Sequence, residues 1–143
     1  MSKCFTVQLD HADAVIPKKA HPSDAGFDLY TPEDVCIWPN DIQMVNTYVR
    51  IELEPGYEAQ IRSRSGLAAK KKLFVLNSPG TIDSTYRGHI VVIMYNLGAK
   101  KIILKKGDRI AQMVIQKIPD IELKEGTIHL KTERGEGGFG STG

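Results

Sequence analysis

Short runs rich in β-branched and aromatic residues, each cut off by a turn signal, constrain the fold of this chain more than any other feature. They are CIW (36 to 38), IQMVNTYVRIEL (42 to 53), YEAQI (57 to 61), LFVL (73 to 76), HIVVIMYNL (89 to 97), KIIL (101 to 104) and RIAQMVIQKI (109 to 118). Such side chains pack well on a pleated surface, so the runs read as strands. Pro55-Gly56, Gly98 and Gly107-Asp108 punctuate them. No helical stretch of about 10 to 15 residues recurs between them, which favours an antiparallel sandwich or jelly roll over a parallel α/β sheet. The reading is all-β, and 143 residues suit one core.

IVVIM (90 to 94) and AQMVI (111 to 115) are apolar at odd and even positions alike. Both sides of each strand are then covered, either inside a thick sandwich or by the core on one side and another subunit on the other. The single helix candidate is SGLAAKKK, 65 to 72, with Ser65 as N-cap and the lysines opposing the negative end of the dipole. Arg62 and Arg64 flank Ser63 just before it. Two guanidinium groups beside free N–H groups suit an anion, and a capped surface helix with solvated arginines fits as well.

Net charge is only +2, so a duplex-binding surface is not expected, and Lys70, Lys71 and Lys72 read as a solvated helix end. Cys4 and Cys36 suit two free thiols in a reducing intracellular compartment, and the four histidines show no metal-ligand spacing. The N-terminus lacks an apolar targeting core, and no apolar run nears the ~20 residues that span a bilayer. Neither a nucleic-acid nor a membrane partner is expected.

Three segments hold candidate chemistry. GTIDSTYRG (80 to 88) presents Asp83 and Tyr86 in a turn-bounded stretch. Asp83 could serve as a base or simply form the turn through its side chain. AGFDLY (25 to 30) sets Asp28 among apolar residues, where a carboxylate needs a basic partner, N–H donors or a hydrated metal. Gln112, in a strand apolar on both sides, likewise needs partners for its amide. The last ten residues, RGEGGFGSTG, are half glycine with functional side chains interspersed.

Taken in order, AGFDLY, RSRSGLA, GTIDSTYRG, GDRIAQMVI and RGEGGFGSTG resemble the five motifs of the trimeric dUTPases, from about residue 5 to residue 143. The resemblance implies a β jelly roll with one short helix and a flexible C-terminal arm. It divides the chain into a core, 1–128, and a glycine-rich arm, 129–143. It implies a homotrimer whose three active sites are each built from all three chains. It also implies hydrolysis of dUTP to dUMP and pyrophosphate with magnesium, which keeps uracil out of DNA and supplies dUMP for dTMP synthesis.

Residue by residue, Asp83 resembles the group that deprotonates the water attacking the α-phosphorus, and Asp28 the carboxylate that holds Mg2+ through water. Arg64, Ser65 and Gly66 resemble the phosphate-binding turn, with Gln112 as its polar neighbour. Asn77, Gly80, Thr81 and Ile82 resemble the hairpin that bonds uracil, and Tyr86 the ring beneath the deoxyribose. In the tail, Phe139 resembles the ring that stacks on uracil. Arg134, Gly140, Ser141 and Thr142 resemble the clasp on the terminal phosphates. Ser63 stands where the family commonly has proline. The related dCTP deaminases lack such a tail, so it and Asp83 weigh against that reading, and intact Asp28, Asp83, Arg134 and Phe139 weigh against a binding protein without catalysis.

Overall fold

Every strand pairing in the computed structural model, which describes residues 2–143, is antiparallel. The strands are β1 (Thr6–Leu9), β2 (Phe27–Tyr30), β3 (Val35–Ile37), β4 (Ile42–Asn46), β5 (Val49–Glu52), β6 (Tyr57–Arg62), β7 (Leu73–Val75), β8 (Gly80–Ile82), β9 (Val91–Asn96), β10 (Ile102–Leu104) and β11 (Arg109–Lys117). One helix, α1 (Ser65–Lys71), links β6 to β7. A four-stranded sheet in the order β2-β11-β6-β8 and a three-stranded sheet β4-β9-β7 are accompanied by the pairs β1-β5 and β10-β3. The last strand thus lies between two early ones, as expected of a jelly roll rather than a meander.

Alternating side chains build the core. Ala59 and Ile61 of β6, Val92 and Met94 of β9, and Leu73 and Val75 of β7 are buried, while their neighbours along each strand are more exposed. The double-sided apolar reading holds within one chain for β11, where the successive Met113 and Val114 are both buried. In β9 the second face, Val91, Ile93 and Tyr95, is only half covered. Buried polar groups are paired: Thr47 Oγ1 donates to the Ile90 carbonyl at 2.6 Å, and Asn96 Nδ2 to those of Ile37 and Lys100 at 3.0 and 2.9 Å.

The structure departs from the sequence reading in local detail. Ser65 is not the N-cap. Arg64 is, with extended backbone and no side-chain cap bond, because its carbonyl already accepts the Ala68 N–H at 3.1 Å and so starts the helical ladder one residue earlier. The run 42 to 53 breaks into β4 and β5 at Tyr48, which has a φ of 55°. Beyond Lys117 no helix or strand follows, and residues 118–136 are exposed.

Candidate active site

One polar cleft, of about 330 Å³, opens where β2 and β11 meet the start of α1. Asp28, Arg64, Ser65, Gly66 and Gln112 line it together, joined by Arg109. Asp28, with only 15% of its side chain exposed, faces Arg64 Nε at 3.4 Å and Arg109 Nη1 at 3.7 Å. The carboxylate among apolar residues therefore has basic partners; Asp24 lines the cleft as well, so the two arginines balance two carboxylates, and it is the guanidinium N–H groups rather than a surplus of charge that suit an anion. Gln112 Nε2 donates to the Ser63 carbonyl at 3.0 Å, which fixes the turn that presents Arg64. Gly26 makes this possible, since a β-carbon there would overlap Gln112 Oε1.

Arg109 enters the cleft through a break in strand register. On a regular strand, residues 109 and 112 point to opposite faces. The ladder instead pairs Gln112 with Asp28 and Arg109 with Tyr30, with a slip between Arg109 and Ala111, so both side chains share a face. Arg62, expected beside Arg64, turns away and donates from Nη2 to Gln60 Oε1 at 2.8 Å. Strand alternation does not separate it from the cleft, since Arg62 pairs with Gln112 and shares its face; the bond to Gln60, two residues back on that face, holds the guanidinium along β6 instead.

A second cleft, of about 230 Å³, is lined by Asn77, Gly80, Thr81, Ile82, Asp83 and Tyr86 over Ile61 and the half-buried face of β9. β8 is the edge strand of its sheet, so its outer N–H and C=O groups can read the rim of a planar ligand. Gly80 permits close approach, because a β-carbon there would meet Asn77 Nδ2 at 3.2 Å. The Asp83 turn closes through the main chain, the Tyr86 N–H donating to the Asp83 carbonyl at 3.1 Å. Closure of the turn does not require the carboxylate.

Groups that the sequence did not single out hold this second cleft in shape. Tyr86 Oη donates to the His89 carbonyl at 2.8 Å, and Arg50 Nη1 to the Arg87 carbonyl at 2.6 Å. Arg50 Nε and His89 Nε2 both donate to Asp10 Oδ2, at 2.6 and 2.8 Å. Asp10 lies some 80 residues upstream of His89, a contact that no local pattern encodes.

The clefts share no lining residue, and no tail residue lines either. Phe139 is fully exposed, and Arg134 Nε donates back to the Gly137 carbonyl at 2.8 Å. Asp28, Gln112 and Arg62 form one row across the sheet, whereas Asp83 follows Ile82, the partner of Ala59. Three strand spacings and four residues of rise put Asp28 and Asp83 on the order of 20 Å apart within one chain. Among the described residues no three His, Cys, Asp or Glu side chains gather into a metal cage. So small a carboxylate set, Asp28 with Asp24 in the same lining, suits a cation that keeps its waters and takes further ligands from a bound anion.

The profile of the dUTPase family matches residues 12–143. The chain is 52% identical over 132 residues, 92% of each protein, to the deoxyuridine 5′-triphosphate nucleotidohydrolase of Clostridium kluyveri. It is 51% identical to that of Anaplasma marginale over 130 residues, 90% of this chain and 88% of the other. A mutant of the Staphylococcus bacteriophage 80alpha dUTPase with dUpNHpp superposes with a TM-score of 0.91 at 28% identity, over 99% of both chains. A mutant dUTPase from phage phi11 of S. aureus, described with a structural Mg(II) ion, superposes at 0.80 with 25% identity, covering 87% of this chain and 97% of that one. Sequence and backbone agree over nearly the whole length, and the protein belongs to the dUTPase family.

Proposed function

We propose that the protein hydrolyses dUTP to dUMP and pyrophosphate in sites shared among three copies of the chain. The observation that carries this reading is the division of labour between two clefts, one built to read a planar base and one built to hold phosphates. At about 20 Å apart in one chain they cannot serve one nucleotide, so the β8 cleft of one copy must face the arginine cleft of another. Two different patches meeting head to tail generate a ring when the rotation closes, and the proposed ring has three copies.

In this reading the backbone edge of β8 and Asn77 bond uracil, whose O4 accepts where the N4 of cytosine would donate. Tyr86, fixed by its bond to the His89 carbonyl, packs against the sugar and leaves a 2′-hydroxyl neither room nor partner. Arg64, the turn at Ser65 and Gly66, and Arg109 neutralise phosphate oxygens, with Gln112 holding the turn in place. Asp28 would hold Mg2+ through the ion's water shell, and the ion supplies further neutralisation of phosphate charge.

Asp83 accepts a proton from a water as its oxygen bonds to the α-phosphorus, and the bond to the bridging oxygen breaks to release pyrophosphate. Little covalent help is needed, because orientation and charge neutralisation supply most of the acceleration. Residues 129–143 act as the arm. Phe139 covers the base, while Arg134, Gly140, Ser141 and Thr142 close over the terminal phosphates and exclude water. Asp83→Asn is expected to bind dUTP as the native protein does and to lose about 10²- to 10⁴-fold in kcat. Unchanged turnover of dUTP would remove Asp83 from this role.

A further inference from the structure

The far end of α1 opens on a third cleft, of about 420 Å³, whose lining joins Lys70, Lys71 and Lys72 to Lys100 and Lys101 of the β9–β10 hairpin. No acidic side chain lines it, and among the described residues none of the five lysines makes an ion pair. The sequence separates the two groups by nearly thirty residues, so the helix end alone gave no sign of their joint charge. Five lysines here, against a net charge of +2 overall, leave the remainder of the chain net acidic.

The juxtaposition is built in. Lys72 caps α1 in the left-handed region, with its N–H on the Ala68 carbonyl at 3.2 Å, and its own carbonyl accepts the Leu97 N–H at 3.0 Å. Gly98 lets the hairpin close in, since a β-carbon there would lie 3.3 Å from the Lys71 carbonyl. Buried Asn96 accepts the Gly98 N–H and donates to the Lys100 carbonyl, both at 2.9 Å. Like charges held this way repel one another, and among the described residues no acidic side chain lines the cleft or pairs with them.

Beside the cleft stands Trp38, the only tryptophan, with 58% of its surface exposed. The pairing of Ile37 with Ile102 places it next to Lys101, whose Nζ lies 4.9 Å from the ring centre. We propose that the lysine cleft and Trp38 form a binding surface for single-stranded nucleic acid, separate from the two clefts of the nucleotide site. Lysines act as point charges toward a phosphate backbone and read no sequence. The exposed indole supplies a stacking platform for a base, which an acidic peptide would leave unused.

The test uses the full-length protein and a fluorescent oligodeoxythymidylate of about twenty nucleotides, followed by anisotropy and by emission of Trp38. Five lysine–phosphate contacts predict a log–log salt slope of about −3.5, hence roughly a hundredfold loss of affinity between ~50 and ~200 mM salt. Base stacking is expected to quench Trp38. Replacing Lys71→Gln together with Lys100→Gln is expected to lower the slope to about −2 while dUTP turnover stays as in the native protein. Absence of binding at low salt, binding unchanged in the double variant, or binding to polyglutamate or to anionic vesicles as strong as to the oligonucleotide would each overturn the proposal.

Discussion

Asp10 collects three donors and so ties the Tyr86 turn to the body of the protein. Gln8 Nε2 donates to Oδ1 at 2.8 Å, while Arg50 and His89 share Oδ2. These bonds, led by that from Gln8, hold the carboxyl well below the usual carboxylate range, with burial opposing them. Its ionised form is therefore favoured by folding. The stabilisation is complete above the ordinary value of 3.8 and declines as pH falls from there toward the lowered folded value. Asp10→Asn is expected to lower the urea midpoint at neutral pH, and the gap from the native protein should close as the pH drops below that value. The same substitution loosens Arg50, which holds the Arg87 carbonyl, so KM for dUTP should rise. A gap that stays constant into acid would show that the ionised carboxylate is not what stabilises the turn. Ser63 makes a related tie: its hydroxyl accepts the Val75 N–H at 2.9 Å and meets Ser78 Oγ at 2.9 Å, giving the turn before Arg64 an anchor that a proline could not supply.

Among the elements, β11 decides whether the arginine cleft exists at all. Its register slip brings Arg109 to the side of Gln112, and Gly26 on the approach to β2 leaves space for the Gln112 amide. Gly26→Ala is expected to push that amide aside, break its bond to the Ser63 carbonyl and free the Arg64 turn. A rise of roughly tenfold in KM for dUTP with a modest fall in stability is the expected outcome, about 1.4 kcal/mol of lost binding. Steady-state kinetics that match the native protein would show the amide to be dispensable. The long strands were legible in sequence because β-branched runs depend on local side-chain fit. The slip in β11 was not, since register is set by the partner strand rather than by residues 109–112 themselves. The break in the run 42 to 53 was missed for a different reason. It carries neither glycine nor proline, and the turn is made by Asn46 Oδ1 accepting the Tyr48 N–H at 2.8 Å, a signal hidden inside an otherwise good strand. The motif residues Asp28, Arg64 and Gln112 were each legible through their resemblance, yet the arginine that completes their cleft came only from pairing.

For the whole molecule, the separation of the clefts makes a prediction that a self-contained site could not satisfy. An assembly of Asp83→Asn chains has intact arginine clefts and no base, while an assembly of Arg64→Ala chains has the base and a weakened phosphate cleft. Each alone is expected to be nearly inactive. When the two are unfolded together in equal amounts and refolded, a site regains both groups if its arginine cleft comes from an Asp83→Asn chain and its β8 cleft from an Arg64→Ala chain. Each choice falls right half the time, so about one site in four should work if the site spans two copies of a cyclic assembly. Recovery toward a quarter of native turnover, absent when the two preparations are merely mixed without refolding, is the expected result. If one chain held a whole site, every chain in the mixture would still lack one essential group and no activity would return. The same logic reaches the tail, since Arg134 and Phe139 touch neither cleft of their own chain. A third chain type, lacking 134–143 but otherwise native, should rescue Asp83→Asn chains only if the arm that closes a site comes from a different copy than its Asp83.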